Sequence, residues 1–132
     1  MSRAPLQLLL VEVAPMWRAG LSATLPDWIP QVQIQSLDSL AETLPWLEHH
    51  NADVLILDWP LARERGHGLL RELAHRHPRL PVVLLHHDPS PMHVHEAKRA
   101  GAAALLNERI TIARLSGALY QVHSGLSVFD GD

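Results

Sequence analysis

Five short apolar runs, separated by longer stretches whose apolar residues recur on a helical period, set the limits on how this chain can fold. The runs are Leu6-Gln7-Leu8-Leu9-Leu10-Val11, Val32-Gln33-Ile34, Val54-Leu55-Ile56-Leu57, Val82-Val83-Leu84-Leu85 and Ala103-Ala104-Leu105-Leu106. A near-continuous apolar run of four or more residues suits a strand covered on both faces, the usual state in a parallel sheet. The second run alternates with polar residues and reads as an edge strand. Between the runs, helices are expected at 16–25, 39–48, 68–77, 91–100 and 111–123. Pro15 suits a first helical turn, and Ser39-Leu40-Ala41-Glu42 has capping-box spacing. Pro45 is expected to kink or shorten its helix. Ser90 stands ready to cap the fourth helix, which stops at Gly101. Alternating strand and helix with short connections calls for an α/β doubly wound sheet with helices on both faces.

The chain has 132 residues, 47% of them hydrophobic and 19% charged, enough for one core and too apolar for a disordered chain. A single domain over 1–132 is expected, with its core at about 5–124 and a Gly- and Asp-rich remainder at 125–132 that is a loose tail or the start of a linker. There are no cysteines, which excludes disulfides, thiolate zinc sites and a cysteine nucleophile. A net charge of −3 has the wrong sign for a phosphate-neutralising clamp, so direct nucleic-acid binding is not expected. Protonating all ten histidines would carry that charge to +7. No run reaches the roughly 18 apolar residues that span a bilayer. Leu6 to Val11 lacks the cleavage site of a signal peptide, so the cytoplasm is the expected compartment and no membrane partner is expected.

Open α/β sheets bind ligands beyond the carboxyl ends of their strands. The residues there are Glu12 and Val13 after the first run, Asp58, Trp59 and Pro60 after the third, His86, His87 and Asp88 after the fourth, and Asn107, Glu108 and Arg109 after the fifth. Adjacent central strands would bring Glu12 and Asp58 into one pocket, where paired carboxylates are the elementary requirement for a hard cation.

Leu8-Leu9-Leu10-Val11-Glu12, Pro15-Met16-Trp17-Arg18-Ala19-Gly20-Leu21, Asp53-Val54-Leu55-Ile56-Leu57-Asp58 and Ala97-Lys98-Arg99-Ala100-Gly101-Ala102 together resemble a response-regulator receiver domain of two-component signalling. The resemblance covers about residues 5–124 and is closest in flavour to receivers followed by a helix-turn-helix output domain. It implies a flavodoxin-like, five-stranded parallel sheet in the order 2-1-3-4-5 with five helices. It also implies a non-enzymatic signalling role, a histidine kinase or output domain as protein partner, and a homodimer. Carried over by position, Asp58 matches the phosphoacceptor and Glu12 the first acid. These two are the candidate Mg²⁺ ligands, and Mg²⁺ is the one cofactor the family suggests. Val13 stands where a second acid is usual, His86 in place of a hydroxyl residue, and Glu108 in place of a lysine. Leu105 replaces the usual switch aromatic and Ala62 a proline. Leu105, Ile110 and Ile112, with Ala97 and Arg114, fall on the family's switch and interface surface.

These departures remove a cation ligand and reverse a charge. At an effective dielectric near 20, attraction and repulsion between unit charges about 4 Å apart differ by several kcal/mol. The expectation is an atypical receiver that works as a switch or interaction module; the alternative is a conventional phosphorelay receiver modified on Asp58 and controlling a DNA-binding output domain. His86 is expected to have its pKa raised by Glu12, Asp58 and Glu108 and to serve as a substitute cation. Trp59 directly follows Asp58 and could roof the pocket; Arg63 and Arg65 could fold over the carboxylates, although such residues are more often solvated. A transition-metal site from His86, His87, Asp88, His93 and His95 is a further alternative, although His93 and His95 point to different sides of a helix. A small acid–base enzyme using Glu12, Asp58 and His86 would need a deep pocket.

Overall fold

The computed structural model describes residues 5–59 and 67–129. In chain order the elements are β1 (Gln7–Val11), α1 (Pro15–Trp28), β2 (Gln33–Leu37), a 3₁₀ turn (Leu40–Glu42) leading into α2 (Thr43–His49), β3 (Val54–Asp58), α3 (His67–Arg76), β4 (Val82–His86), α4 (Pro91–Arg99), β5 (Ala104–Asn107), α5 (Ile112–His123) and β6 (Val128–Phe129). All neighbouring strands are parallel, in the order β2-β1-β3-β4-β5-β6. This is the expected flavodoxin-like order, extended by a sixth strand of two residues.

Because side chains alternate across a strand, each central run divides between two cores. Leu8 and Leu10, Val54 and Ile56, Val83 and Leu85, and Ala104 and Leu106 face α1 and α5, whose Leu21, Leu25, Leu115, Leu119 and Val122 cover them. Leu9 and Val11, Leu55 and Leu57, Val82 and Leu84, and Leu105 face Leu47 of α2, Leu70 and Leu73 of α3, and Val94 and Ala97 of α4. Leu8 to Val11, Val54 to Leu57 and Val82 to Leu85 lack polar members because neither face of the central sheet meets water. β2 behaves as an edge strand, with Gln33, Gln35 and Leu37 on one side and Ile34 half-buried on the other.

The caps form largely where the sequence places them. Ser39 and Glu42 make a reciprocal capping box, but on the 3₁₀ turn that precedes α2. Pro45 then falls in the first turn of α2, where a missing N–H costs nothing. α1 runs three residues further than the apolar spacing indicates and carries Pro26 in its last turns. α4 ends in a Schellman arrangement: the Gly101 N–H donates to the Lys98 carbonyl and the Ala102 N–H to the Ala97 carbonyl, with Gly101 at φ +89°.

The stretch at 125–129, expected as a loose tail, returns to the sheet. The Val128 N–H donates to the Ala103 carbonyl at 2.9 Å. Val128 packs on one core, Phe129 on the other, and the Lys98 ammonium sits 5.0 Å from the Phe129 ring centroid. An edge strand with unpaired amide groups recruits any extended segment that can fill the ladder, which composition does not reveal.

Candidate functional site

The strand register assembles the site. Val11 pairs with Leu57, so Glu12 and Asp58 leave neighbouring strands side by side. Asp58 pairs with Leu85, the residue before His86. His86 pairs with Asn107, and the Glu108 N–H donates to the His86 carbonyl at 3.0 Å. Glu12, Asp58, His86 and Glu108 therefore line the carboxyl edge of the sheet in that spatial order, although they are scattered along the chain.

At Glu12 the backbone adopts φ +51°, in the left-handed region. That conformation costs about 1–2 kcal/mol in a residue with a side chain. The Glu12 N–H still donates to the Leu37 carbonyl at 3.0 Å, so the chain turns sharply straight after β1. The turn sends Val13 back into the core, 6% exposed, in the cluster that also holds Leu10 and Leu21. Trp17 packs on that cluster and donates its indole N–H to the Glu108 carbonyl at 3.2 Å. This tie between α1 and the β5–α5 loop has no signal in the sequence, because it joins residues that only the fold makes neighbours.

Glu108 itself is exposed. The Asn107 side chain accepts the Arg109 N–H at 2.9 Å and shapes the same loop. Leu105 is fully buried, with Phe129 beside it in the ladder, so its side chain offers no surface. Ile110 and Ile112 are half-buried against the α1/α5 core, Ala97 is buried and Arg114 exposed.

Two expectations need correction. The raised pKa expected of His86 is reversed: the residue is 8% exposed, and its pKa is lowered from the ordinary 6.5. Burial is the main cause, followed by the neighbouring His93 and His87, and the carboxylates of Asp88 and Glu108 oppose the shift without overcoming it. His86 is a neutral imidazole at neutral pH and supplies no substitute cation. Trp59 does not roof a pocket; it is 1% exposed and packs in the core on the α2/α3/α4 side, where a large ring removes the most apolar surface from water. The transition-metal alternative, already weakened by its spacing, gains no support: among the described residues no group of three or more His, Cys, Asp or Glu is arranged to hold a metal ion. Ala62, Arg63 and Arg65 lie outside the described residues.

The ring nitrogens explain where the histidines are used instead. His86 Nδ1 accepts the Asp88 N–H at 2.9 Å. His93 Nδ1 accepts the Ser90 N–H at 3.1 Å, while Ser90 Oγ accepts the His93 N–H at 3.3 Å, a capping box with His93 in the usual Glu position. The spacing Ser90-Pro91-Met92-His93 is the sequence signal for it. A groove of about 620 Å³ between α2 and α3 is lined by Glu12 and by Leu40, Leu44 and Leu69, but by neither Asp58 nor His86. It gives the proposed acid–base trio no common cavity.

With Val13 buried, the rim offers Mg²⁺ two carboxylates, Glu12 and Asp58, and leaves its other positions to water oxygens. Glu108, where the resemblance implies a lysine, is an acid.

Comparisons with known proteins agree with this geometry. Residues 8–120 match the family model described as the response regulator receiver domain. The transcriptional regulatory protein CitT of Bacillus subtilis is 32% identical over 80 residues, covering 61% of this chain and 35% of CitT. A Ycf55-like protein of Synechocystis is 28% identical over 127 residues, covering 95% of this chain and 23% of that protein. The chain thus spans about a third or less of the length of either relative. The crystal structure of a LuxR-family two-component response regulator from Aurantimonas superposes with a TM-score of 0.82 at 17% identity, covering 98% of this chain and 92% of that one. The parallel 2-1-3-4-5 core, the acid and the aspartate at the ends of its two central strands, and the match across most of its length lead to one conclusion: this chain belongs to the response regulator receiver domain family, the signalling domain of two-component systems.

Proposed function

We propose that this receiver is an atypical switch and protein-interaction module that works without ordinary phosphorylation of Asp58. The observation that carries this reading is Val13, which occupies the second-acid position and is turned into the core. A phosphoryl group on Asp58 would bring close to two negative charges to an edge that already holds Glu12 and Glu108. Phosphoryl transfer depends on cations placed against that charge. With a carboxylate ligand missing and a glutamate in the lysine position, the electrostatic balance runs against the acylphosphate. Asp58 would then serve as a fixed acid of the rim, and Mg²⁺ as at most a weak ligand of Glu12 and Asp58.

The partners of such a module are proteins, a histidine kinase or an output domain, and the chain itself catalyses no reaction. The names of CitT, a transcriptional regulatory protein, and of the LuxR-family regulator support a place in transcriptional control within a longer protein. A homodimer, a cytoplasmic location and a single domain over 1–132 belong to the same reading. Among the described residues no helix is long and apolar enough to cross a membrane.

The test is incubation with acetyl phosphate, and separately with beryllofluoride, in the presence of Mg²⁺, read by intact mass and amide chemical shifts with Asp58→Asn as baseline. The expected result is no stoichiometric adduct and no Mg²⁺-dependent shift at 12, 58 and 86. Stoichiometric, Mg²⁺-dependent acylphosphate on Asp58 returns the chain to the conventional phosphorelay class.

A further inference from the structure

The loop between β4 and α4 is held by histidine rings used as acceptors. The His86 and His87 rings stack at 4.7 Å between centroids with planes 13° apart, and the His93 ring lies 4.2 Å from His86. His86 is buried, His93 half-buried and His87 exposed. In both His86 and His93 the Nδ1 atom accepts a backbone N–H, from Asp88 and Ser90 respectively. An acceptor nitrogen must carry a lone pair, so each ring is neutral with its proton on Nε2.

Protonation would place a hydrogen on Nδ1 facing a backbone N–H that already points at it. Both bonds break. The Nδ1–H of His93 can turn to Ser90 Oγ, 3.1 Å away, but the Ser90 N–H then loses its acceptor and α4 loses half of its cap. His93 also lies in the first turn of α4, where the helix dipole disfavours a cation. A second charge on His86 would sit within one ring stack of the first.

We infer that His86, His87 and His93 form a proton-operated latch on the β4–α4 loop: neutral, they stack and hold the loop and the start of α4; protonated, they release both. Burial, then His93 and His87, disfavour the charged form of His86 and outweigh Asp88 on the loop and Glu108 on the β5–α5 loop, which favour it. On the β3 side the charged residue at this level is Asp58, opposite Leu85 in the register. The latch needs no phosphoryl group, so it stands apart from the reading of Asp58.

The direction follows from linkage. Because His86 is harder to protonate in the folded chain, the latch is closed above the ordinary histidine value of 6.5 and opens as pH falls below it toward the lowered value.

The experiment is an NMR titration of the whole chain from pH 7.5 to 5, following the imidazole carbons, the Asp88 and Ser90 amides and their hydrogen exchange. The expected result is an Nε2–H tautomer for His86 and His93 and a His86 midpoint below 6.5. The Asp88 and Ser90 amides should titrate with the rings and lose about tenfold protection across the transition. His93→Gln keeps a neutral acceptor at the cap. It should flatten the Ser90 profile and move the His86 midpoint upward, while Asp88 continues to titrate. His86→Gln should flatten Asp88. A His86 midpoint at or above 6.5, or a Ser90 profile unchanged by His93→Gln, overturns the latch. If His86→Gln fails to fold, the wild-type titration and His93→Gln still decide.

Discussion

Replacing Val13 by aspartate restores a carboxylate at the position where receivers ordinarily carry one, and the structure sets the cost. Val13 is 6% exposed in a cluster with Leu10 and Leu21, with Trp17 packed against it. Losing that apolar burial forfeits about 1.5–3 kcal/mol. A polar group left dry and without a partner costs about 1–3 kcal/mol more. The sum of about 2.5–6 kcal/mol is a large part of the 5–15 kcal/mol that typically holds a domain together. With a urea m-value of about 1.5 kcal/mol/M, the unfolding midpoint should fall by about 2–4 M. Fluorescence of the four tryptophans reports it. Mg²⁺ adds a second arm. If the missing acid is what limits cation binding, Val13→Asp should regain about 1.4 kcal/mol at Mg²⁺ tenfold above its Kd. Val13→Asn, similar in shape but uncharged, should lose comparable stability and regain nothing. A Val13→Asp midpoint within about 0.5 M of wild type would show that Val13 is not packed as described. Equal Mg²⁺ stabilisation of wild type and Val13→Asp would refute the role given to the second acid.

Three further outcomes are expected. Gln31 is exposed at φ +64°, so Gln31→Gly should raise stability by about 0.5–1 kcal/mol whereas Gln31→Ala should not, measured by urea unfolding. Phe129→Ala removes a half-buried ring and its contact with Lys98; a loss of about 1–2 kcal/mol is expected, with amide shifts confined to β5, β6 and α4. Stability should also fall on acidification: the unfolded chain takes up a proton on residue 86 below pH 6.5 before the folded chain does. The drop in urea midpoint between pH 7.5 and 5.5 should therefore be smaller in His86→Gln than in wild type.

Much of the architecture was legible because it rests on local patterns. Val54-Leu55-Ile56-Leu57 and Val82-Val83-Leu84-Leu85 lack polar residues because both sheet faces are covered, and the Ser39 and Ser90 caps follow from spacing that one helical turn dictates. Glu12, Asp58, His86 and Glu108 could be named as rim residues because a parallel sheet brings its strand exits to one edge.

What tertiary structure decided is how those residues behave. The charge of His86 depends on burial and on the His87 and His93 rings, and a sequence holds neither a dielectric nor a ring–ring distance. Trp59 looked like a lid because it follows Asp58, yet its large ring gains more from the core than from the rim. The return of Val128 and Phe129 to the sheet depends on an open ladder at β5, a vacancy that exists only once the other strands have paired. Local chemistry thus determined which elements form and where the rim lies. Long-range packing determined the protonation, burial and pairing of the groups along it, because each of those is a property of neighbours far away in the chain.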